Sequence, residues 1–139
     1  MRLEPLYRVR FTYPDSWSVE LEGGWQQHLF FAEGTCEGWI TGRFRGANFP
    51  LRRTADGPFQ PDFRAVIEAD DGATVLLELH GYGRAHPVGR RQVVGSVTHL
   101  SDRDPYRRLN DAVCVCVGEV RSSDLVLDVA ELIWEPLDD

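Results

Sequence analysis

The sequence predicts an all-β domain, a barrel or a sandwich, and three observations predict it. Apolar and polar residues alternate with period two along most of the chain, the side-chain repeat of half-buried strands. The alternating runs are rich in β-branched and aromatic residues, which suit a pleated surface. Turn residues interrupt them roughly every eight to twelve positions, the rhythm of short strands joined by tight connections.

In chain order, strands are predicted over residues 6–13, 16–21, 27–32 and 37–44, with turn residues punctuating their ends. Residues 46–60 contain Asn48, Pro50 and Asp56-Gly57-Pro58 and keep no sustained period, which predicts a long loop. Strands over 62–69 and 74–80 flank Asp70-Asp71-Gly72, a hairpin turn whose Asp and Gly tolerate positive φ. A further strand covers 89–100. Residues 102–111, with Pro105 near the start and Tyr106, Leu109 and Ala112 spaced along one helical face, predict the one short helix. Strands over 112–121 and 125–134 complete the chain. Neither a repeat nor a linker composition occurs, so residues 1–139 are read as a single domain.

Composition narrows the function. Hydrophobic residues at 42% suffice for a packed core, and a net charge of −7 works against attraction to nucleic acid or an anionic membrane. All 15 basic residues are Arg. Without lysine there is no Schiff base for pyridoxal phosphate or aldolase chemistry, and no P-loop lysine. Gly-x-Ser-x-Gly, Gly-x-Gly-x-x-Gly and Walker sequences are absent too, so no cofactor is expected. Met1-Arg2-Leu3-Glu4-Pro5 begins no signal-like apolar run, and no stretch reaches the ~18 apolar residues of a membrane span. The expectation is a cytoplasmic protein with no membrane partner. Cys36, Cys114 and Cys116 make an odd count, read as reduced thiols in the core, and Cys-x-Cys without a second pair is not zinc spacing, so no metal is expected.

Two strand patterns stand out. Over residues 112–117 both faces are apolar, Ala112, Cys114 and Cys116 against Val113, Val115 and Val117, which predicts burial on two sides and a homo-oligomer. Over 62–69, Asp62, Arg64, Val66 and Glu68 share one face and Phe63, Ala65, Ile67 and Ala69 the other. Across the hairpin Glu78 and His80 share a face opposite Val75, Leu77 and Leu79.

Gly38-Trp39-Ile40-Thr41-Gly42, Arg53-Thr54-Ala55-Asp56-Gly57, Asp62-Phe63-Arg64, Asp70-Asp71-Gly72-Ala73 and Gly81-Tyr82-Gly83, taken in order, resemble a bacterial family known as domain of unknown function 3237. Asp104-Pro105-Tyr106-Arg107-Arg108-Leu109-Asn110 looks like that family's proline–tyrosine–leucine–asparagine signature, and Val117-Gly118-Glu119 and residues 126–132 resemble its last two strands. The resemblance covers most of the chain. It implies a small closed antiparallel β-barrel of calycin or allene-oxide-cyclase-like kind with a central cavity, about nine or ten strands and one short helix. It implies no activity. Where the family carries a glycine-rich turn ending in Asp-Trp, this chain has Gly46-Ala47-Asn48-Phe49-Pro50, so Arg53 alone is carried over from that loop.

In a closed barrel, same-face polar residues on paired strands converge on the cavity if that face points inward. Asp62, Glu78, His80 and Tyr82 are then candidate catalytic residues, the carboxylates as bases and His or Tyr as proton donors, with Arg64 stabilising an enolate. The competing reading makes the same residues cross-strand charge pairs on a solvent face, the commoner arrangement. Arg43, Arg45, Arg52 and Arg53, with Arg84, Arg90 and Arg91, suggest a grip on a carboxylate or phosphate, or else a solvated rim. From these, Arg53, Arg64 and Arg91 are the candidate substrate-binding residues, with Trp39 as the aromatic one among Trp17, Trp25, Trp39 and Trp134. His28, His80, His86 and His99 form no metal-binding motif.

Three functions follow and stay open at this point. One is a cofactor-independent enzyme of isomerase, cyclase or lyase type acting on a small, partly hydrophobic organic molecule, anionic ones included. The second is a carrier or sensor that holds such a molecule unchanged, and the third is a structural homo-oligomer subunit with a filled barrel.

Overall fold

A computed structural model describes residues 1–85, 91–121 and 124–139. Among the described residues the chain forms β1 (Arg2–Glu20), β2 (Gln26–Gly38), β3 (Gly42–Asn48), β4 (Leu51–Arg52), β5 (Asp62–Ala69), β6 (Thr74–Ala85), β7 (Arg91–Leu100), a 3-10 helix (Tyr106–Asp111), β8 (Cys114–Val120) and β9 (Leu125–Ile133). Strands pair in the order β1-β9-β8-β7-β6-β5-β3-β2, and pairing of β1 with β2 closes the ring. The architecture is therefore a closed antiparallel barrel of eight strands, with the short β4 added beside the end of β2. Closure leaves the eight strands without a free edge, which distinguishes it from a sandwich.

Element boundaries differ from expectation, and the larger differences have local causes. The predicted strand 37–44 is divided between β2 and β3, because the chain turns over residues 39–41 after Gly38, whose φ is +129°. The first two predicted strands are one, β1, whose register against β2 shifts between Thr12 and Asp15 around Pro14; proline removes a ladder donor and the strand passes it as a bulge. Strand 27–32 continues through Gly34, which is a packing position: a Cβ there would lie 1.9 Å from the carbonyl oxygen of Arg10. The predicted long loop is shorter than 46–60, because β3 runs on to Asn48 opposite Phe63, and Leu51 and Gln60 exchange backbone hydrogen bonds of 3.2 and 2.8 Å. The hairpin at Asp70-Asp71-Gly72 forms as expected, with Gly72 taking φ of +89°. Of the predicted strand 89–100, residues 89 and 90 lie outside the described residues.

Alternation decides what fills the barrel. Phe63, Ala65, Ile67 and Ala69 of β5 and Val75, Leu77 and Leu79 of β6 point inward, and so do Val9 and Phe11 of β1 and Cys114 and Cys116 of β8. Phe11, Phe44 and Phe63 meet at the waist with ring centroids 5.2–5.7 Å apart. One end is closed by the 3-10 helix, whose Tyr106 and Leu109 are buried. Tyr106 donates its hydroxyl to Asp71 Oδ2 at 2.8 Å, and Asn110 exchanges bonds of 2.8 and 2.9 Å with the Ser101 backbone, so the proline–tyrosine–leucine–asparagine run is a plug tied to the hairpin turn.

The cysteines are core residues. Burial pushes the Cys36 and Cys116 thiols up to about 12 and Cys114 to about 11, so all three are protonated at neutral pH. Val113, just before β8, and Val117, on the opposite face of β8, are exposed. Among the described residues no helix is long and apolar enough to cross a membrane, and no group of three or more His, Cys, Asp and Glu side chains is placed to hold a metal ion.

Candidate functional site

The polar face of β5 and β6 does not reach the barrel interior. Asp62, Arg64, Glu78, His80 and Tyr82 all project from the outer wall, with Arg64 71% and Tyr82 52% exposed. Pairing places Asp62 opposite His80 and Arg64 opposite Glu78, and the polar side-chain atoms approach to 3.7–3.8 Å. This is the cross-strand, solvent-facing arrangement. The physical reason is parity: one face of each strand can be buried, and seven apolar side chains on the other face take that place.

Other expected residues scatter. Arg53 is exposed in the loop after β4. Trp39 lies at the plugged end, against Tyr106 with centroids 5.5 Å apart and beneath the Arg108 guanidinium at 4.6 Å. Arg43 and Arg45 pair on the outside with Glu33 and Glu68. Arg91, in contrast, lies at the open end, and a cavity of about 350 Å³ opens beside it. Arg90 and His86 lie outside the described residues.

That mouth cavity is built by inward positions at the far ends of the strands. Tyr13 follows Phe11 on the inner face of β1, His28 and Phe30 precede Ala32 on β2, and Asn48 follows Phe44 on β3. Phe59, from the loop after β4, crosses the opening, held by paired backbone bonds with Gly83 of 2.9 and 2.7 Å. The walls are stacked rings: Tyr13 on Phe30 at 4.6 Å, and Phe30 on His28 at 5.2 Å with 16° between planes. Val93, Val120 and Leu125 complete an apolar side. A cavity of this size, apolar with a few placed polar groups, has the form of a small-molecule site.

The polar groups have defined roles. Asn48 Oδ1 accepts the Asp62 backbone N–H at 3.2 Å, which orients the amide so that Nδ2 donates to Tyr13 Oη at 3.0 Å. The Tyr13 hydroxyl is thus an acceptor toward Asn48, and its own proton is left for the cavity. Burial raises its pKa to about 12, outweighing the Asn48 bond and the positive Arg91, so the proton stays on at neutral pH.

His28 lies between Ser18 Oγ, 2.6 Å from Nδ1, and Gln26 Oε1, 3.3 Å from Nε2. The ring proton is assigned to Nδ1, which donates to Ser18 Oγ, and the Nε2 lone pair is left on the side of Gln26, a residue of the cavity wall and the weaker partner. Desolvation lowers the His28 pKa; Glu20 opposes this, and Arg91 and Arg52 add to it. The ring is therefore a neutral proton acceptor near pH 7. Together the groups offer a hydroxyl donor, a neutral imidazole and a guanidinium around one apolar cavity.

The sequence reading missed Tyr13, His28, Phe30 and Asn48. Their signal was present in the alternation, since each continues the inward parity of a core residue two or four positions away.

Comparison with known proteins adds the fold's relatives. Solved structures with the same fold include a β-barrel-like protein from Acinetobacter baumannii, 21% identical, TM-score 0.83, with 94% of each chain covered. A protein of unknown function from Clostridium acetobutylicum is 16% identical with TM-score 0.85, covering 96% of this chain and all of that one. An enzyme from Penicillium herquei is 20% identical with TM-score 0.75, covering 94% of this chain and 92% of its own. At these identities the likeness shows the fold. No curated protein matches the chain. The family profile described as "Protein of unknown function (DUF3237)" matches residues 1–132, and the chain belongs to that family.

Proposed function

We propose that the chain is a small-molecule barrel that works at its mouth, binding a planar, partly hydrophobic carbonyl compound and moving a proton on it without a cofactor. The observation that carries this reading is the Tyr13 hydroxyl, left by Asn48 as a free donor inside a ring-lined cavity of about 350 Å³ with a neutral His28 on the same wall. The fold shared with the Penicillium herquei enzyme supports a catalytic use of such a barrel.

In this reading His28 takes a proton from the carbon next to the carbonyl. The electron pair moves onto oxygen, where Tyr13 O–H stabilises the enolate and Arg91 supplies positive charge. Return of the proton to a different atom gives isomerisation, and attack by the enolate oxygen or carbon on a conjugated alkene of the same molecule, whose π bond breaks and whose carbon takes the proton back from His28, gives cyclisation. Neither step needs an oxidant or reductant.

The test uses β-tetralone in deuterated buffer and follows loss of its α-proton signals by NMR. The protein is expected to accelerate exchange, with His28→Gln and Tyr13→Phe each slowing it by about 10²-fold, the ordinary scale of acid–base and oxyanion contributions. Because the His28 pKa is lowered from 6.5, the rate is expected to hold through pH 6.5 and fall only below it. Binding of β-tetralone without exchange above buffer would replace the enzyme reading with that of a carrier.

A further inference from the structure

A second chamber adjoins the mouth. It measures about 400 Å³ and shares Phe59, Gly83 and Arg91 with the first cavity, while Arg52, Arg84 and Asp56 line its own walls. The guanidinium carbons of Arg52 and Arg91 lie 4.8 and 4.4 Å from the centroid of the Phe59 ring, so this ring divides the two spaces and carries a cation from each of two strands. Arg52 Nε is buried without a hydrogen-bond partner. Among the described residues Arg52, Arg84 and Arg91 take part in none of the ion pairs that occupy Arg8, Arg43, Arg45, Arg108 and Arg121. Three such guanidinium groups line one cavity here with Asp56 as the single acid of its wall, on a chain of net charge −7. A cluster of cations kept apart from so many available acids is arranged for an anion from outside.

We infer that the ligand of the mouth is an organic anion, an apolar ring system carrying one carboxylate or phosphate that passes Phe59 and is held by Arg52, Arg84 and Arg91. This rests on the mouth reading above and narrows its substrate class. The ring lies among Tyr13, Phe30 and His28, and the charged group is placed in the arginine chamber. There the flat guanidinium forks donate pairs of hydrogen bonds to oxyanion oxygens, and Arg52 Nε gains its missing partner.

The experiment titrates naphthol, naphthoate and naphthyl phosphate into the parent chain and into Arg84→Gln, which lines the arginine chamber but not the mouth. The anionic probes are expected to bind the parent at least about tenfold more tightly than naphthol, and raising the salt from about 0.05 to 0.5 M should weaken them alone. Arg84→Gln should cut anion affinity by about tenfold and leave naphthol affinity unchanged. The tighter of the two anions names the group as carboxylate or phosphate. Equal affinity for naphthol and both anions, or anion affinity untouched in Arg84→Gln, overturns this inference and leaves the mouth reading standing. Failure of all three naphthyl probes to bind overturns both.

Discussion

His99 is a titratable group that the mouth does not use. It sits in the core, 5% exposed, with Nε2 2.6 Å from the Tyr7 hydroxyl and Nδ1 buried without a partner. Desolvation lowers its pKa from 6.5 to about 4, and burial raises that of Tyr7, so both are neutral in the fold. In the unfolded chain His99 protonates near 6.5, before the folded protein accepts a proton. Its contribution is therefore complete above about pH 6.5 and is lost as the pH falls toward 4, an interval worth about 3 kcal/mol. Urea unfolding at several pH values should show the parent losing roughly 2–3 kcal/mol more than His99→Gln between neutral pH and pH 4. Parallel loss in both would mean that His99 takes up its proton without unfolding the barrel.

At the scale of elements, glycine placement and parity did most of the specifying. Gly34 of β2 faces Phe11 of β1, where a Cβ would meet backbone at 1.9–2.8 Å on three atoms. Backbone cannot withdraw as a flexible side chain can, so Gly34→Ala must push β1 and β2 apart at the pairing that closes the ring. The expected result is destabilisation by about 2–4 kcal/mol in thermal or denaturant unfolding, whereas Thr35→Ala, one position along on the outer wall, should change it by less than about 1 kcal/mol. The same positions explain what was readable. Strand identity and the hairpin at Gly72 followed from alternation and turn chemistry, but Gly34 carries the signature of a turn and serves as a contact, so the boundary of β2 was misread. The polar face of Asp62, Arg64, Glu78 and His80 was also plain in sequence. Which side of the wall it occupied was not, because an inward polar face and an outward one have the same period; counting the apolar residues opposite would have decided it. Tyr13, Phe30 and Asn48 come together only through register between residues 17 to 35 positions apart, which no local pattern carries.

For the whole molecule, the first and last long strands, β1 and β9, pair through nine residue partners, so the barrel closes by joining parts of the chain distant in sequence. What it encloses is divided. The plug fills one end, the ring layer of Phe11, Phe44 and Phe63 fills the waist, and the mouth begins where Phe63 stands opposite Asn48. Pocket depth is thus expected to be set by core packing rather than by a loop, with Phe63, 3% exposed and paired opposite Asn48 of the cavity wall, acting as the floor from just beneath the lining residues. Removing that ring couples stability to ligand size. Phe63→Ala should cost about 3–5 kcal/mol and lower the melting temperature by about 10–20 °C, while Phe63→Leu should cost less and keep the fold for binding measurements. In the leucine variant the cavity extends toward the waist, so a three-ring probe such as anthroate should gain affinity relative to naphthoate. If anthroate and naphthoate keep their parent ratio in a folded Phe63→Leu protein, the floor lies elsewhere and the waist acts only as packing.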